Sequence, residues 1–553
     1  MLMDAEAQEY RRIIEEILSG AVSSRQELEE RKREASVALS LNRYIRNSDI
    51  LKTASDDEHR RVIHLLQKKP TRTISGVAVV AAMTAPSKCP HGRCSYCPGG
   101  PDLEVPQSYT GKEPATRRAI QHGFDPYLQT TFRLHQLKTI GHPVDKAELI
   151  VMGGTLTAQT LDYQDWFVKE CVRAMNDFQI NHLRLKDGGE GRFLEEYKAA
   201  VKTFRYREDV QETNETSSVR CVGITFEPRP DWARREQINF MLDFGVTRVE
   251  IGVQNPNDEI YRLINRGHTV QDVVDATAEL KDSGIKVGYH MMPGLLGYNP
   301  ESDLKAFDTV FTDERFRPDM IKIYPCIVIE GTEYSARYRR GEFNPLTTEQ
   351  AVDVIARAKA KLPRWVRTMR IMRDIPSDIV EAGIKSSNLG QLVHDELARR
   401  GIKCSCIRCR EVGRHLKDGV EPEPDDIRMI REEYASSVGR EIFLSFSDTK
   451  KDILVGFLRL RIPGKPFRPE ITPETAIIRE LHVYGPMLEV GEKPEYEWQH
   501  RGYGSELVRE AERIAYEECG MRQLNVISGI GVREYYRRLG YDRLGPYMNL
   551  TLG

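Results

Sequence analysis

GVAVVAAMTAPSKCPHGRCSYCPGGP, Gly76 to Pro101, is a short apolar run that ends in a loop carrying three cysteines. Cys89, Cys94 and Cys97 stand in a C-x4-C-x2-C spacing. Three thiolates on one tight loop make a metal clamp. With no fourth cysteine in the loop, a cubane 4Fe-4S cluster held here keeps one iron open to another ligand. A zinc knuckle short of one ligand, or thiols that never meet, are the blander readings of the same spacing. The surrounding chain decides between them.

Outward from this loop, apolar runs alternate with charged stretches long enough for helices. The runs are Gly76 to Thr84, Ala147 to Gly154, Val219 to Glu227, Thr247 to Gln254, Ile285 to Gly294 and Met320 to Ile329. Strand-helix alternation predicts a parallel sheet, and about six repeats ending near Ile375 fit a full or partial α/β barrel. Ligands in such barrels sit at the C-terminal strand ends, which puts the cysteine loop on that rim. Other strand-end residues then share it: Gly153 and Gly154, whose bare backbone permits close approach of a ligand, then Glu227 and Arg229, Gln254 and Asn255, and His290 and Met291.

Before the barrel, residues 1–74 read as a small helical region, with Ile13, Ile14, Ile17 and Leu18 at helical spacing. Arg31, Lys32, Arg33, Arg43, Arg46, Arg60, Arg61, Lys68, Lys69 and Arg72 make it basic. They are either a solvated surface or an RNA contact, since Lys and Arg near phosphates bind by counterion release. The 553 residues are 40% hydrophobic and 30% charged with a net charge of −2, so a polyanion must be met by local patches and not by a global field. No apolar run approaches the ~18 residues of a membrane span, and the charged N-terminus has no signal-peptide core. A cytoplasmic location is expected. Six of the ten cysteines lie in two triplets and Cys171, Cys221, Cys326 and Cys519 are scattered, which favours metals over disulfides.

Residues 376–421 form a basic linker in which Cys404, Cys406 and Cys409 give C-x-C-x2-C, a compact set suited to structural zinc. His394 and His415 are the nearest candidates for a fourth ligand. Arg373, Lys385, Arg408, Arg410 and Arg414 either track phosphates or form ordinary surface. From about Pro422 the pattern becomes alternating antiparallel strands, REIFLSFSD, DILVGFLRLRIP and AIIRELHVYG, which open an α+β domain over 422–553. Gln499 to Gly504 then starts the helix SELVREAERIAYEECG; a glycine-rich turn at a helix N-terminus offers free N–H groups to a pyrophosphate. A Rossmann fingerprint competes, but its spacing is absent and no βαβ unit surrounds it.

The cysteine loop with the Gly-Gly end of the second strand resembles the radical S-adenosylmethionine superfamily, and the C-terminal strands and helices resemble the GNAT acetyltransferases. CPGGP, SYTGKEPATRRA, DPYLQT, ELIVMGGT, EIGVQ, NRGHT, GYHMMPG and ISGIGVREYYRRLGY together resemble the catalytic-subunit family of Elongator over essentially the whole chain. Its short cysteine spacing is similar to that of archaeal and bacterial members. The resemblance implies an enzyme that modifies the wobble uridine of tRNA to 5-carboxymethyluridine, with a 4Fe-4S cluster, S-adenosylmethionine, acetyl-CoA and zinc. It implies that Glu480, Leu481, His482 and Val483 lie along the pantetheine and thioester. Gly502, Tyr503, Gly504 and Ser505 hold the pyrophosphate, and Tyr536 meets the CoA. Lys146, from the barrel segment 75–375, reaches the same ligand, so the two active regions are expected to face one another. Partners implied are the tRNA anticodon stem-loop and an electron donor; the residues leave a homodimer open. A protein lysine acetyltransferase with the barrel as scaffold is a second reading, but it has no need of Cys89, Cys94 and Cys97. A non-catalytic tRNA-binding module is a third, and predicts no acetyl-CoA turnover.

Overall fold

The computed structural model describes residues 2–41, 43–67, 73–200, 205–484 and 502–553. Lys68, Lys69, Arg72 and the start of the glycine-rich turn, Gln499 to Arg501, lie outside them.

Four helices, α1 (Leu2–Leu18), α2 (Arg25–Ala38), α3 (Asn47–Leu51) and α4 (Asp56–Leu66), form the N-terminal module. Its core is the helical stripe of Ile13, Ile14 and Ile17 packed with Leu28, Ile50, Val62 and Leu66. Several of its basic residues are used internally. Arg31 bridges Glu9 and Glu16 at 2.5 and 2.6 Å. Lys32 is buried and donates to Asn47 Oδ1 at 2.7 Å, and Arg43 pairs with Glu6 and Asp49. Arg33, Arg46 and Arg61 remain exposed.

Seven parallel strands follow: β1 (Ala78–Met83), β2 (Lys146–Met152), β3 (Arg220–Phe226), β4 (Arg248–Gln254), β5 (Lys286–Met291), β6 (Met320–Ile323) and β7 (Arg367–Ile371). They pair strictly in sequence order, and β1 and β7 are the two ends of the sheet, so the barrel is open along a seam between them. Sequence patterning marks the first six. The seventh, RTMRI, has charges at both ends of its alternation and carries too little apolar signal to stand out.

A second sheet contains β8 (Ile427–Ser436), β9 (Gly439–Asp448), β10 (Ile453–Ile462), β11 (Thr475–Val483), β12 (Gln523–Val526), β13 (Asp542–Leu544) and β14 (Tyr547–Thr551), in the order 8-9-10-11-12-14-13. Strand β11 pairs with β12 only over Thr475 to Ile478. Its remaining half, Glu480 to Val483, stays paired with β10 alone. On the side facing β12, therefore, the backbone of this half lacks a ladder partner and is open to a ligand's amides.

This second domain caps the N-terminal end of the barrel. Gly529 lies so close to β3 that an added Cβ would sit 2.2 Å from Val222 O, which only glycine accommodates. Charge does the rest: Arg459, Arg461, Arg479 and Lys281 meet Asp282, Asp319, Glu441 and Glu480, all but one of them within a few per cent of complete burial. Arg479 donates to both Asp319 oxygens at 2.6 and 2.9 Å and lies 3.0 Å from Glu441. Arg461 bridges Asp282 and Glu441 at 2.6 and 2.8 Å.

Asp303 gives the barrel a pH-dependent contribution to stability. Its carboxyl is buried, with the Gly294 N–H donating to it at 2.8 Å, and burial raises its pKa to about 7. A raised carboxyl stabilises the fold fully below its unfolded value near 4, and that contribution disappears as pH climbs through the folded value. Asp303→Asn should therefore flatten the loss of stability between pH 5 and 8 by on the order of 1–2 kcal/mol. Melting midpoints of both proteins across that range check it; parallel curves would contradict it.

Candidate active site

Strand β1 delivers the cysteine loop to the C-terminal rim. Cys94 and Cys97 are buried and Cys89 is half-buried. Burial pushes the Cys89 and Cys97 thiols up, as expected of sulfurs surrounded by little water. Each sulfur has a polar neighbour: Thr155 Oγ1 at 3.8 Å from Cys89, His91 Nε2 at 3.2 Å from Cys94, and Ser108 Oγ at 3.0 Å from Cys97. Gln107 Nε2 donates to Cys97 Sγ at 3.2 Å, and Arg266 Nη1 to Cys94 Sγ at 3.6 Å. Donors around the sulfurs are what an anionic thiolate-ligated cluster requires. Arg266 belongs to the NRGHT segment; Asn265 of that segment and Ile264 just before it also clamp the loop, through Asn265 Nδ2 to Arg93 O at 2.7 Å and Ser95 N to Ile264 O at 3.0 Å.

Among the described residues, two groups have their ligand atoms within 4.8 Å of one another: Cys404, Cys406 and Cys409, and Glu227, Glu250 and His290. The rim triplet is not one of them. This difference fits the two chemistries, because a mononuclear tetrahedral zinc draws its sulfurs to roughly 3.8 Å from each other, whereas a cubane places each thiolate on a separate iron. His394 and His415 do not join the linker triplet at that distance. The ammonium of Lys359 does approach, 3.8 Å from Cys406 Sγ and 3.7 Å from Cys409 Sγ.

Gly153 ends β2 beside the loop with φ +103°, and a Cβ there would meet Thr84 Oγ1 at 2.7 Å and Thr84 N at 3.2 Å. Both the conformation and the contact demand glycine. Cys89, Gly153, Gly154, Glu227, Arg229, Gln254 and His290 all line one cavity of about 470 Å3, which extends down the strands to Val79 on β1 and to Arg408 of the linker. Asn255 is buried next to Gln254 and Met291 lies within the core. Val79 pairs with Glu148, five residues before Gly153, so the cavity runs about 16 Å along the barrel.

The lumen is ionic, unlike the layered apolar core of a closed barrel. Lys322 contacts Glu250 and lies 2.7 Å from Glu227, and His290 Nε2 lies 2.9 Å from Glu250 Oε2. Arg248 continues the column to Glu148 at 2.5 Å. Burial works against ionised Glu250, but Lys322, His290 and Arg248 outweigh it and hold the carboxyl well below the usual range. Sequence patterning missed Lys322, Arg248 and Arg266; for the first two, charges within otherwise apolar strand runs were the available signal, whereas Arg266 lies in a loop.

At the other end, Lys146 begins β2, where burial lowers its pKa. It pairs with Arg220 of β3, and Gly531 of the second domain packs against Arg220, 2.5 Å from a Cβ position to the Arg220 Cβ. Lys146 thus stands at the junction with the C-terminal domain, about 23 Å of strand from Gly153. Lys146 and the cysteine-bearing rim therefore lie at opposite ends of the same strand. His482 Nε2 lies 3.3 Å from Ser75 O, four residues before Val79, so the open half of β11 lies on the N-terminal side of the barrel, below the cavity. Glu480 is bound by Arg459 at 2.8 Å, and Leu481 and Val483 continue that strand.

Gly502 caps helix α5 (Tyr503–Arg513), whose first turn includes Gly504 and Ser505. The ring of Tyr503 packs on Phe446 at 4.8 Å. Gly504 brings this turn against β11: a Cβ there would lie 3.7 Å from Val483 Cγ2 and 3.0 Å from Tyr535 Oη. Tyr536, on helix α6 (Arg533–Arg537), is buried in the domain core against Tyr541, and burial raises its hydroxyl pKa. Its neighbour Tyr535 is the tyrosine that reaches the helix turn, a distinction between adjacent residues that no sequence pattern carries.

A three-cysteine loop on the rim of an open parallel barrel, capped by a sheet that splays beside a helix N-terminus, defines a radical S-adenosylmethionine enzyme fused to a GNAT acetyltransferase domain. Family models agree: the radical SAM superfamily matches residues 84–310, its C-terminal domain 318–399, the acetyltransferase (GNAT) family 411–541, and the ELP3 N-terminal domain 7–74. The chain is 49% identical to the tRNA uridine(34) acetyltransferase of Methanocaldococcus jannaschii over 100% of this chain and 99% of that protein. It is 52% identical to the protein of that name from Methanocaldococcus infernus over 92% and 91%, and 40% identical to human Elongator complex protein 3 over 90% and 88%. A solved structure of the M. infernus Elp3 lacking residues 1–46 covers 87% of this chain and 100% of its own, with 47% identity and a TM-score of 0.74. The chain belongs to the Elongator complex protein 3 family. That family implies a 4Fe-4S cluster, S-adenosylmethionine and acetyl-CoA. No helix among the described residues is long and apolar enough to cross a membrane.

Proposed function

We propose that this enzyme acts on the wobble uridine of tRNA and builds 5-carboxymethyluridine from acetyl-CoA. What carries the reading is that the cysteine loop lines the cavity of the barrel while the unpaired half of β11 lies on the N-terminal side of the same barrel, where His482 Nε2 is 3.3 Å from Ser75 O. When bound, the cluster and S-adenosylmethionine supply a 5′-deoxyadenosyl radical at the rim. Cys89, Cys94 and Cys97 would ligate the cluster, with Gly153 and Gly154 approached by the amino acid part of S-adenosylmethionine. Glu480 to Val483 would pair with the pantetheine amides, Gly502 to Ser505 with the pyrophosphate, and Lys146 with the same ligand from the barrel side. Tyr536 shapes the CoA wall from within the core, with Tyr535 nearer the ligand. The acetyl group must enter the barrel from below, because about 23 Å of strand separates Lys146 from Gly153. The ionic lumen would then fix a polar uracil that an apolar barrel core has no means to orient. The tRNA anticodon stem-loop supplies that base unstacked, as single-stranded loops do, and exposed Arg33, Arg46 and Arg61 are available to its backbone. Zinc at Cys404, Cys406 and Cys409 would brace the linker between the domains, and an electron donor is required.

Acetyl-CoA carrying a trideuterated methyl group tests the reading. The expected result is deuterium in the 5′-deoxyadenosine released in the presence of tRNA. Deoxyadenosine free of deuterium, with normal turnover, would show that the acetyl methyl is not the hydrogen donor.

A further inference from the structure

Five basic residues of the linker region are sorted by their surroundings. Arg410 is buried and donates to the Ser405 and Arg364 carbonyls. Arg414 is held by Glu411 at 3.1 Å, and Arg373 donates to Ser108 O at 2.8 Å while lying over the Tyr109 ring. Lys385 is exposed and away from the cavity. Arg408 alone both lines the cavity and has no hydrogen-bond acceptor or ion-pair partner among the described residues. Its charged neighbours are Arg414, Arg367, Glu411 and the Cys406 thiol. Glu411 is already engaged by Arg367 at 2.8 Å and by Arg414, so three guanidinium groups surround one carboxylate. Of this cluster Arg408 is the member that reaches the cavity wall.

The position says which anion fits. The cavity is bordered by Val79 and Ala81 from one unpaired sheet edge and by Met369 and Arg370 from the other, so it borders the open seam of the barrel. A lateral seam admits a polymer that must put one base inside and keep its chain outside. The helix turn that suits a CoA pyrophosphate, Gly502 to Ser505, packs instead on Phe446 and Val483. We propose that Arg408 binds a backbone phosphodiester of single-stranded RNA beside the nucleotide inserted through the seam. The inference rests on the tRNA reading above and assigns the residue that anchors the substrate chain at the lower end of the cavity.

The test is binding of an anticodon stem-loop RNA by the full chain, with salt varied from 50 to 300 mM. Loss of one single-strand phosphate contact lowers the slope of log K against log salt by about 0.7. Arg408→Gln is expected to lower it by that amount and to weaken binding about tenfold at 50 mM salt. Arg408→Lys should restore the slope, since an ammonium also pairs with a phosphate. Acetyl-CoA affinity measured without RNA should be the same in all three proteins. Reduced acetyl-CoA affinity in Arg408→Gln would assign the anion to CoA and overturn the inference. An unchanged slope would overturn it too, whether RNA binding is retained or weakened equally in both variants. Wild-type protein that fails to bind the stem-loop at all would instead remove the tRNA reading.

Discussion

Replacing Arg479 by methionine is expected to cost about 3–5 kcal/mol of stability, the usual penalty for removing one partner from a buried ion network. Methionine keeps most of the volume, so the loss isolates charge. Asp319 loses its bidentate partner, and Glu441 loses one of two guanidinium groups, inside a junction from which water is excluded. Burial opposes the ionised forms of Asp319 and Glu441, yet Arg479 and Lys281 hold both pKa values below the ordinary range. Depressed carboxyls contribute stability above their unfolded values near 4 and lose it as pH falls through their folded values. The Arg479→Met deficit should therefore be full at pH 7 and shrink toward pH 3. Denaturant melts at the two pH values measure it. A deficit under 1 kcal/mol at pH 7 would mean that the two domains are joined by packing and not by this network.

Cys94→Ala carries the second large effect. Cys94 is the buried centre of the rim triplet, contacted by both His91 and Arg266. Burial, reinforced by Arg229 and Arg266, lowers His91 to about 4, so its ring is neutral and serves as a hydrogen-bond partner, not as a second charge. Without the Cys94 thiolate, deoxyadenosine formation should fall to background and the anaerobic iron–sulfur absorbance should be lost. Stem-loop RNA binding should survive, because Arg408 and the N-terminal arginines are untouched. Unchanged deoxyadenosine release from Cys94→Ala would remove the cluster assignment.

Much of this architecture is written locally. The apolar runs between Gly76 and Ile329 announce their strands because fully buried parallel strands tolerate few polar residues, and the C-x4-C-x2-C loop follows the first of them. What escapes is whatever depends on charge buried by distant neighbours. Strand β8, IRMIREEYAS, looks like surface because its Arg431 and Glu433 face solvent, although the strand pairs with β9 along its whole length. Lys322 and Arg248 carry no signal of their own in the sequence beyond a charge within an apolar run, whereas the lumen gathers them with Glu227, Glu250 and Glu148. Lys32, which the sequence leaves as either solvated surface or RNA contact, is buried and committed to Asn47 and Glu29. The separation of Lys146 from the rim is equally hidden: Lys146 and Gly153 are seven residues apart in sequence, and an extended strand turns those seven residues into nearly the full height of the barrel.

We propose that a radical generated at one end of the barrel meets an acetyl group delivered from the other, on a uridine held between them. Mass spectrometry of tRNA nucleosides after anaerobic incubation with the enzyme, reductant, acetyl-CoA and S-adenosylmethionine tests this most directly. Accumulation of 5-carboxymethyluridine, dependent on all four additions, is the predicted result. Unmodified uridine alongside continued release of CoA and 5′-deoxyadenosine would overturn that proposal.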